Sequence, residues 1–177
     1  RASQDEVRSL WPRLGSYSRA RNLHACAQRV LDEFGGEFPR TPEQLQTLPG
    51  IGVSTAAAIA VFAYAYPAPI LDGNVKRILS RVYGIRAAPS AATDKILWAN
   101  AHETLFTPQD AQRLKIPFER GIRAYTQGVM DLGATLCTRT LPNCQACPWS
   151  TQCVALAENA TDQIPPPNAA TPIQHQQ

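Results

Sequence analysis

The sequence predicts an all-α fold, and three observations carry that prediction. Alanine, the strongest helix former, occurs 26 times in 177 residues. Apolar residues recur at helical spacing in most segments. No segment shows a clean alternation of period two, so no strand competes with these helices.

Taken in order, residues 5–14 read as a short helix interrupted by Pro12. Residues 18–34 are stronger, with Leu23, Cys26, Ala27, Val30, Leu31 and Phe34 at helical spacing and Gly35-Gly36 as the stop. Thr41-Pro42-Glu43-Gln44 is a helix start: Thr41 as N-cap, Pro42 in the first position, Gln44 at the capping-box position. That helix ends at Leu48-Pro49-Gly50. Further helices are expected over 54–65, from Asp72 or Gly73 to 83, over 91–105 and over 120–132, with a short turn to about Glu158. From Ile164 the chain turns proline-rich, so 161–177 reads as a linker or disordered tail.

Composition narrows the function classes. Hydrophobic residues make up 44% and charged residues 18%, which argues against a fully disordered, collagen-like or disulfide-dense chain. No apolar run approaches the roughly 20 residues that span a bilayer. The net charge of +3, from 14 arginines and three lysines against 14 acids, permits nucleic-acid binding without implying it. Where the cations sit matters more than their sum. The first residues do not resemble a secretory signal, and the chain starts at Arg1, as a piece of a longer protein would.

Four of the five cysteines, Cys137, Cys144, Cys147 and Cys153, fall within seventeen residues in a C-x6-C-x2-C-x5-C pattern. Such crowding, with Pro142 and Pro148 between them, points to one metal centre rather than to two disulfides. Zinc ribbons usually show two C-x2-C knuckles, whereas this sequence has one, flanked by unequal gaps. A cubane cluster is wider than one ion, and a Cys-Pro step occurs in cluster loops. The spacing favours [4Fe–4S], with zinc as the alternative. Cys26 reads as an ordinary buried thiol.

Leu48-Pro49-Gly50-Ile51-Gly52 joins two short helices. Gly50 and Gly52 permit positive φ and close approach of the backbone. Such a turn aims the first N–H groups of the next helix at solvent, an anion site suited to a DNA phosphate. A lone G-x-G would read as an ordinary turn. The full string, with Thr55-Ala56-Ala57 following, favours a helix–hairpin–helix that grips DNA without regard to sequence. Asp72 lies twenty residues beyond Gly52. Its ordinary reading is an N-cap. The sharper one is a carboxylate beside a bound strand, placed to stabilise positive charge on a sugar as its base leaves. Lys76, Arg77 and Arg139 would then face phosphates; otherwise they form solvated faces.

These features, in this order, resemble the helix–hairpin–helix DNA glycosylases of the endonuclease III superfamily, and more closely the adenine-specific (MutY-type) branch. The matching strings are Tyr17-Ser18-Arg19-Ala20-Arg21-Asn22-Leu23-His24, Gly35-Gly36-Glu37-Phe38-Pro39, Leu48 to Thr55, Ile70-Leu71-Asp72-Gly73-Asn74-Val75-Lys76-Arg77, Met130-Asp131-Leu132-Gly133-Ala134 and the four cysteines. The resemblance covers about residues 9–160. It implies a six-helix lobe over 1–118, incomplete at the N-terminus, and a [4Fe–4S] lobe over 119–160. It also implies excision of adenine mispaired with guanine or 8-oxoguanine in double-stranded DNA, the adenine being flipped into a pocket. Asp72 matches the catalytic aspartate, Asn74 a residue supporting it, and Ser54 a position beside the catalytic site. Gln127 matches a contact to the flipped adenine, and Lys76 a lysine near the abasic product. In the strand-cleaving branch a lysine nucleophile stands where this chain has Ser54, so hydrolysis without strand cleavage is expected. Thymine-mismatch removal, or a non-catalytic DNA-binding iron–sulfur module, are the alternatives.

Two departures stand out. The family's general acid is a glutamate that would lie before Arg1; Glu33, Glu37 and Glu43 come too late in the pattern. General acids contribute about 10²–10⁴-fold, so this piece by itself is expected to be nearly inactive. Ser16 replaces a tyrosine that wedges beside the oxidised guanine, and serine can neither wedge nor stack. A separate 8-oxoguanine-reading domain would follow the tail. The resemblance further implies a monomer without membrane association, located in the cytoplasm with the nucleoid, or in a eukaryotic nucleus or mitochondrion.

Overall fold

The computed structural model describes residues 2–10 and 17–166. Pro12, Ser16 and the tail 167–177 lie outside the described residues. Every regular element among the described residues is helical.

Helix α1 (Gln4–Ser9) opens on a capping box between Ser3 and Glu6. Its described part ends at Ser9 with Leu10 as C-cap; the rest of the expected span, 11–14, lies outside the described residues. Helix α2 (Tyr17–Phe34) runs as expected. Gly35 and Gly36, at φ +64° and +90°, end it in the left-handed region. Helix α3 (Pro42–Leu45) is capped by Thr41, then tightens into a turn, with Thr47 N–H bonded to Gln44 O and Leu48 N–H to Leu45 O. Only half of the expected capping box forms: Gln44 Oε1 accepts from the Thr41 hydroxyl, not from its backbone. Helix α4 (Val53–Tyr64) follows, and then α5 (Gly73–Val82), α6 (Ala91–Glu103), α7 (Pro108–Leu114), α8 (Phe118–Asp131) and the short α9 (Val154–Ala157). Helix α7 was not foreseen. Its start, Thr107-Pro108-Gln109-Asp110, repeats the signature read at Thr41, and both halves of its capping box are made. Only Ala111 is buried in it, so periodicity offered no cue.

Packing assigns the site its frame. One core holds Cys26, Val30, Leu45, Leu48, Ala56 and Ala60, which clamp α2 against the α3–α4 hairpin. A larger core runs from Ala57 to Leu132. The boundary expected at 118/119 passes through it: Leu97, Phe106 and Ala111 before that point pack with Ile122, Val129 and Leu132 after it. The division between the two cores falls along α4, whose Ala56 and Ala60 face one and whose Ala57 and Val61 face the other. Helical periodicity puts these pairs on different faces.

After α8 the backbone widens into a π-helical turn, Leu132–Leu136, that delivers Cys137. Gly133 sits here against α5; a Cβ on it would meet Asn74 Cβ at 2.6 Å. The tail starts later than expected. Ile164 is 1% exposed and packs with Ala155 and Ala160, so residues 161–164 close a small third core.

Candidate active site and nucleic-acid interface

The hairpin turn has the predicted backbone chemistry, with one change. Gly50 adopts φ +79°, and a Cβ there would strike Asn22 Cβ at 2.8 Å, so both conformation and space require glycine. Gly52 does not adopt positive φ. It is the extended N-cap of α4, at φ −84°, ψ 173°, and a Cβ on it would meet only open space. Its lack of a side chain leaves α4 uncapped. Among the described residues, no hydrogen bond accepts from the N–H groups of Val53, Ser54 or Thr55. Gly50, Gly52 and Thr55 are exposed. Leu48 is 2% exposed and Ile51 packs partly on the first core, so these two hold the turn with their side chains. Arg29 Nη1 donates to Thr47 O at 2.7 Å, tying the hairpin to α2.

Asp72 is the N-cap of α5, its Oδ1 accepting from Val75 N–H at 2.8 Å. The ordinary reading of this residue therefore holds, and it is compatible with the sharper one, because among the described residues no hydrogen bond occupies the second carboxylate oxygen. Asp72 lines a broad cleft with Asn74, Lys76, Arg77, Asp94 and Arg139. Ser54 joins this cleft to the hairpin: its Oγ accepts from Leu71 N–H at 3.0 Å, one residue before Asp72. Neither Ser54 nor Gln127 lines the cleft itself. Gln127 is exposed on α8, with Nε2 donating to Asp131 Oδ1 at 2.8 Å.

Two cations expected beside phosphates are engaged within the protein. Lys76 Nζ donates to both carboxylate oxygens of Asp94 at 2.7 Å. Arg77 turns inward, Nε to Cys137 O at 2.8 Å and Nη2 to Gly133 O at 2.6 Å and to Asn74 Oδ1 at 2.9 Å. Asn74 thus meets Arg77, and no bond from Asn74 to Asp72 is present among the described residues. Burial lowers the Arg77 guanidinium from its ordinary value; Cys137 opposes this, Arg81 and Arg139 add to it, and Asp72 opposes it. Arg139 remains exposed at the cleft.

The four cysteines line a single, largely apolar pocket with Leu132, Leu136 and Trp149. None forms a disulfide. No three His, Cys, Asp or Glu side chains among the described residues are grouped closely enough to hold a single metal ion. Sequence reasoning missed the residue that organises this loop. Arg81, 3% exposed, donates from Nη1 to Thr138 O at 2.7 Å and Cys137 Sγ at 3.4 Å, from Nη2 to Arg139 O at 3.2 Å, and from Nε to Ile164 O at 2.9 Å. Its position one turn beyond Arg77, on the buried face of Val75, Ile78 and Leu79, was the available signal.

The sequence profile of the HhH-GPD superfamily base excision DNA repair proteins matches residues 1–102. The chain is 41% identical to an adenine DNA glycosylase of Homo sapiens over 165 residues, 92% of this chain and 28% of the relative. It is 37% identical to an adenine DNA glycosylase of Buchnera aphidicola subsp. Acyrthosiphon pisum over 162 residues, 91% of this chain and 43% of the relative. It thus spans less than half the length of these two relatives. A thermostable thymine-DNA glycosylase has a similar fold, with TM-score 0.71 and 25% identity, covering 89% of this chain and 67% of that one.

Proposed function

Because the chain belongs to the HhH-GPD superfamily of base excision DNA repair proteins, we propose that it is the core of a glycosylase that hydrolyses the N-glycosidic bond of adenine mispaired with guanine or 8-oxoguanine in duplex DNA. One observation carries this reading: the Leu71 N–H to Ser54 Oγ bond, which ties the uncapped N-terminus of α4 to the backbone directly before Asp72. A phosphate gripped at Val53–Thr55 and a sugar beside Asp72 are then held at a fixed separation. In the reaction the bond from C1′ to the adenine nitrogen breaks, and the leaving base takes a proton. Water adds to C1′. Asp72 stabilises the positive charge that develops on the sugar between these events. Serine at position 54 has no amine to form a Schiff base, so no strand cleavage follows.

Gln127 contacts the flipped adenine in this reading, and Lys76, released from Asp94, lies near the abasic product. Gly50, Gly52, Thr55 and Arg139 face the DNA. Arg77 serves as a positioning residue between Asn74 and the cysteine loop. Cys137, Cys144, Cys147 and Cys153 would hold a [4Fe–4S] cluster, whose bonds would tie the two ends of the loop together and add a fixed negative charge. The division into a hairpin lobe and a cluster lobe is read as lying along α4. The protein acts as a monomer on chromosomal DNA.

The test is release of adenine from duplexes holding a single A·8-oxoG or A·G pair, by the complete polypeptide carrying these residues. Asp72→Asn should lower the single-turnover rate at least about 100-fold. Undiminished release would overturn the assignment. The likeness to a thymine-DNA glycosylase favours one competing substrate, so a T·G duplex is the second arm; preferential thymine release would replace the adenine reading.

A further inference from the structure

Arg81 presents an electrostatic problem that the described residues do not solve. Its side chain is almost wholly buried. It is aimed at three carbonyl oxygens and at Cys137 Sγ. No carboxylate lies within ion-pair range of it among the described residues. Carbonyl groups satisfy the guanidinium's donors but supply no net charge. A cation removed from water without an anion is among the costliest arrangements a fold can hold. Arg77 stands one turn away with its guanidinium also turned inward toward Cys137 O, so repulsion adds to the cost.

The Arg81 guanidinium contacts the wall of the four-cysteine pocket; it also borders the cleft that holds Asp72, Asp94 and Asp162, but pairs with none of them among the described residues. Cys153 completes the embrace from the far end of the loop, its Sγ lying 3.5 Å from Arg81 O. Four thiolates around a doubly charged core, whether a cubane or a zinc ion, form a dianionic centre. We propose that Arg81 is the buried counter-charge of an anionic four-thiolate centre, so that loading the centre and stabilising the fold are one event. This rests on the reading of the cysteines given above and goes beyond it. The centre's charge is used to satisfy α5, the helix that carries Asp72 at its start.

The test compares native protein with Arg81→Gln, which keeps an amide donor but no charge, and Arg81→Lys, which keeps the charge but loses the fork. Each is loaded with iron and sulfide, or separately with zinc, and then stripped with a chelator; metal and sulfide contents and melting temperatures are read in both states. Charge compensation predicts that stripping lowers Tm by about 5 °C or more further in the native and lysine proteins than in the glutamine protein. Equal drops in all three would overturn it, since hydrogen bonding alone treats lysine and glutamine alike. Arg81→Met provides a second neutral variant. If neither neutral variant folds when stripped, the proposal also fails, because compensation makes the uncharged residue the better tolerated one there. Zinc uptake without sulfide would refute the cluster while leaving the counter-charge open to the same comparison. Native protein that takes up neither metal would overturn both.

Discussion

Gly133 is the point where the π-helical turn leans on α5, and replacing it with alanine tests how the Asp72 helix is positioned. A Cβ there would lie 2.6 Å from Asn74 Cβ and 3.2 Å from Ile78 Cδ1. Carbon atoms rest about 3.5–4.0 Å apart, so an overlap of about 1 Å must be relieved. Asn74 Cβ is fixed to the α5 backbone and cannot swing aside as a chain end would. The turn must therefore back away, stretching the 2.6 Å bond from Arg77 Nη2 to Gly133 O. Overpacking costs about 1–3 kcal/mol, and a charged hydrogen bond about 1.5–3 kcal/mol. Because the two losses are not additive, about 2–4 kcal/mol is expected, a fall in Tm of about 5–15 °C for a chain this size. Gly128→Ala is the control. Gly128 lies within α8, and a Cβ there meets nothing within 4 Å, so alanine should stabilise by about 0.5–1 kcal/mol. Thermal melts followed by circular dichroism read both. A Gly133→Ala melt within about 2 °C of native, or two alanines that behave alike, would refute the packing argument.

Two further outcomes follow from the same contacts. Ser54→Ala deprives the Leu71 N–H of its acceptor in a half-buried setting. The expected cost is about 1–3 kcal/mol, seen as a lower urea midpoint, and amide exchange at Leu71 should quicken; an unchanged Leu71 exchange rate would remove the link between hairpin and Asp72. Burial raises the Tyr125 phenol above its ordinary value of 10.0, with the Thr104 side chain opposing this and Tyr83 adding to it. The folded protein then holds the proton more tightly than the unfolded chain. That share of stability is complete below pH 10 and is lost as pH rises through the elevated folded value. Tyr125→Phe should flatten the alkaline fall in stability, and identical slopes in the two proteins would count against it.

What the sequence determined by itself is what short-range chemistry encodes. The caps at Thr41 and Asp72, the stop at Gly35-Gly36 and the periodicity of α2 are interactions within four residues, and each appears where it was read; the caps at Ser3 and Ser90 are of the same short range and were passed over. The glycine turn at Gly50 and the clustering of the cysteines were legible for the same reason. Helix α7 carried an equally clear cap and was missed for want of an apolar stripe. Tertiary structure alone decided which way the long side chains turn. Lys76 meets Asp94 eighteen residues away, Arg77 reaches Gly133 across 56 residues, and Arg81 reaches Ile164 across 83. A solvated helix face and a buried clamp are spelled with the same arginines. The difference lies in whether another segment arrives to exclude water, and that depends on how α5, the π-helical turn and residues 161–164 pack together.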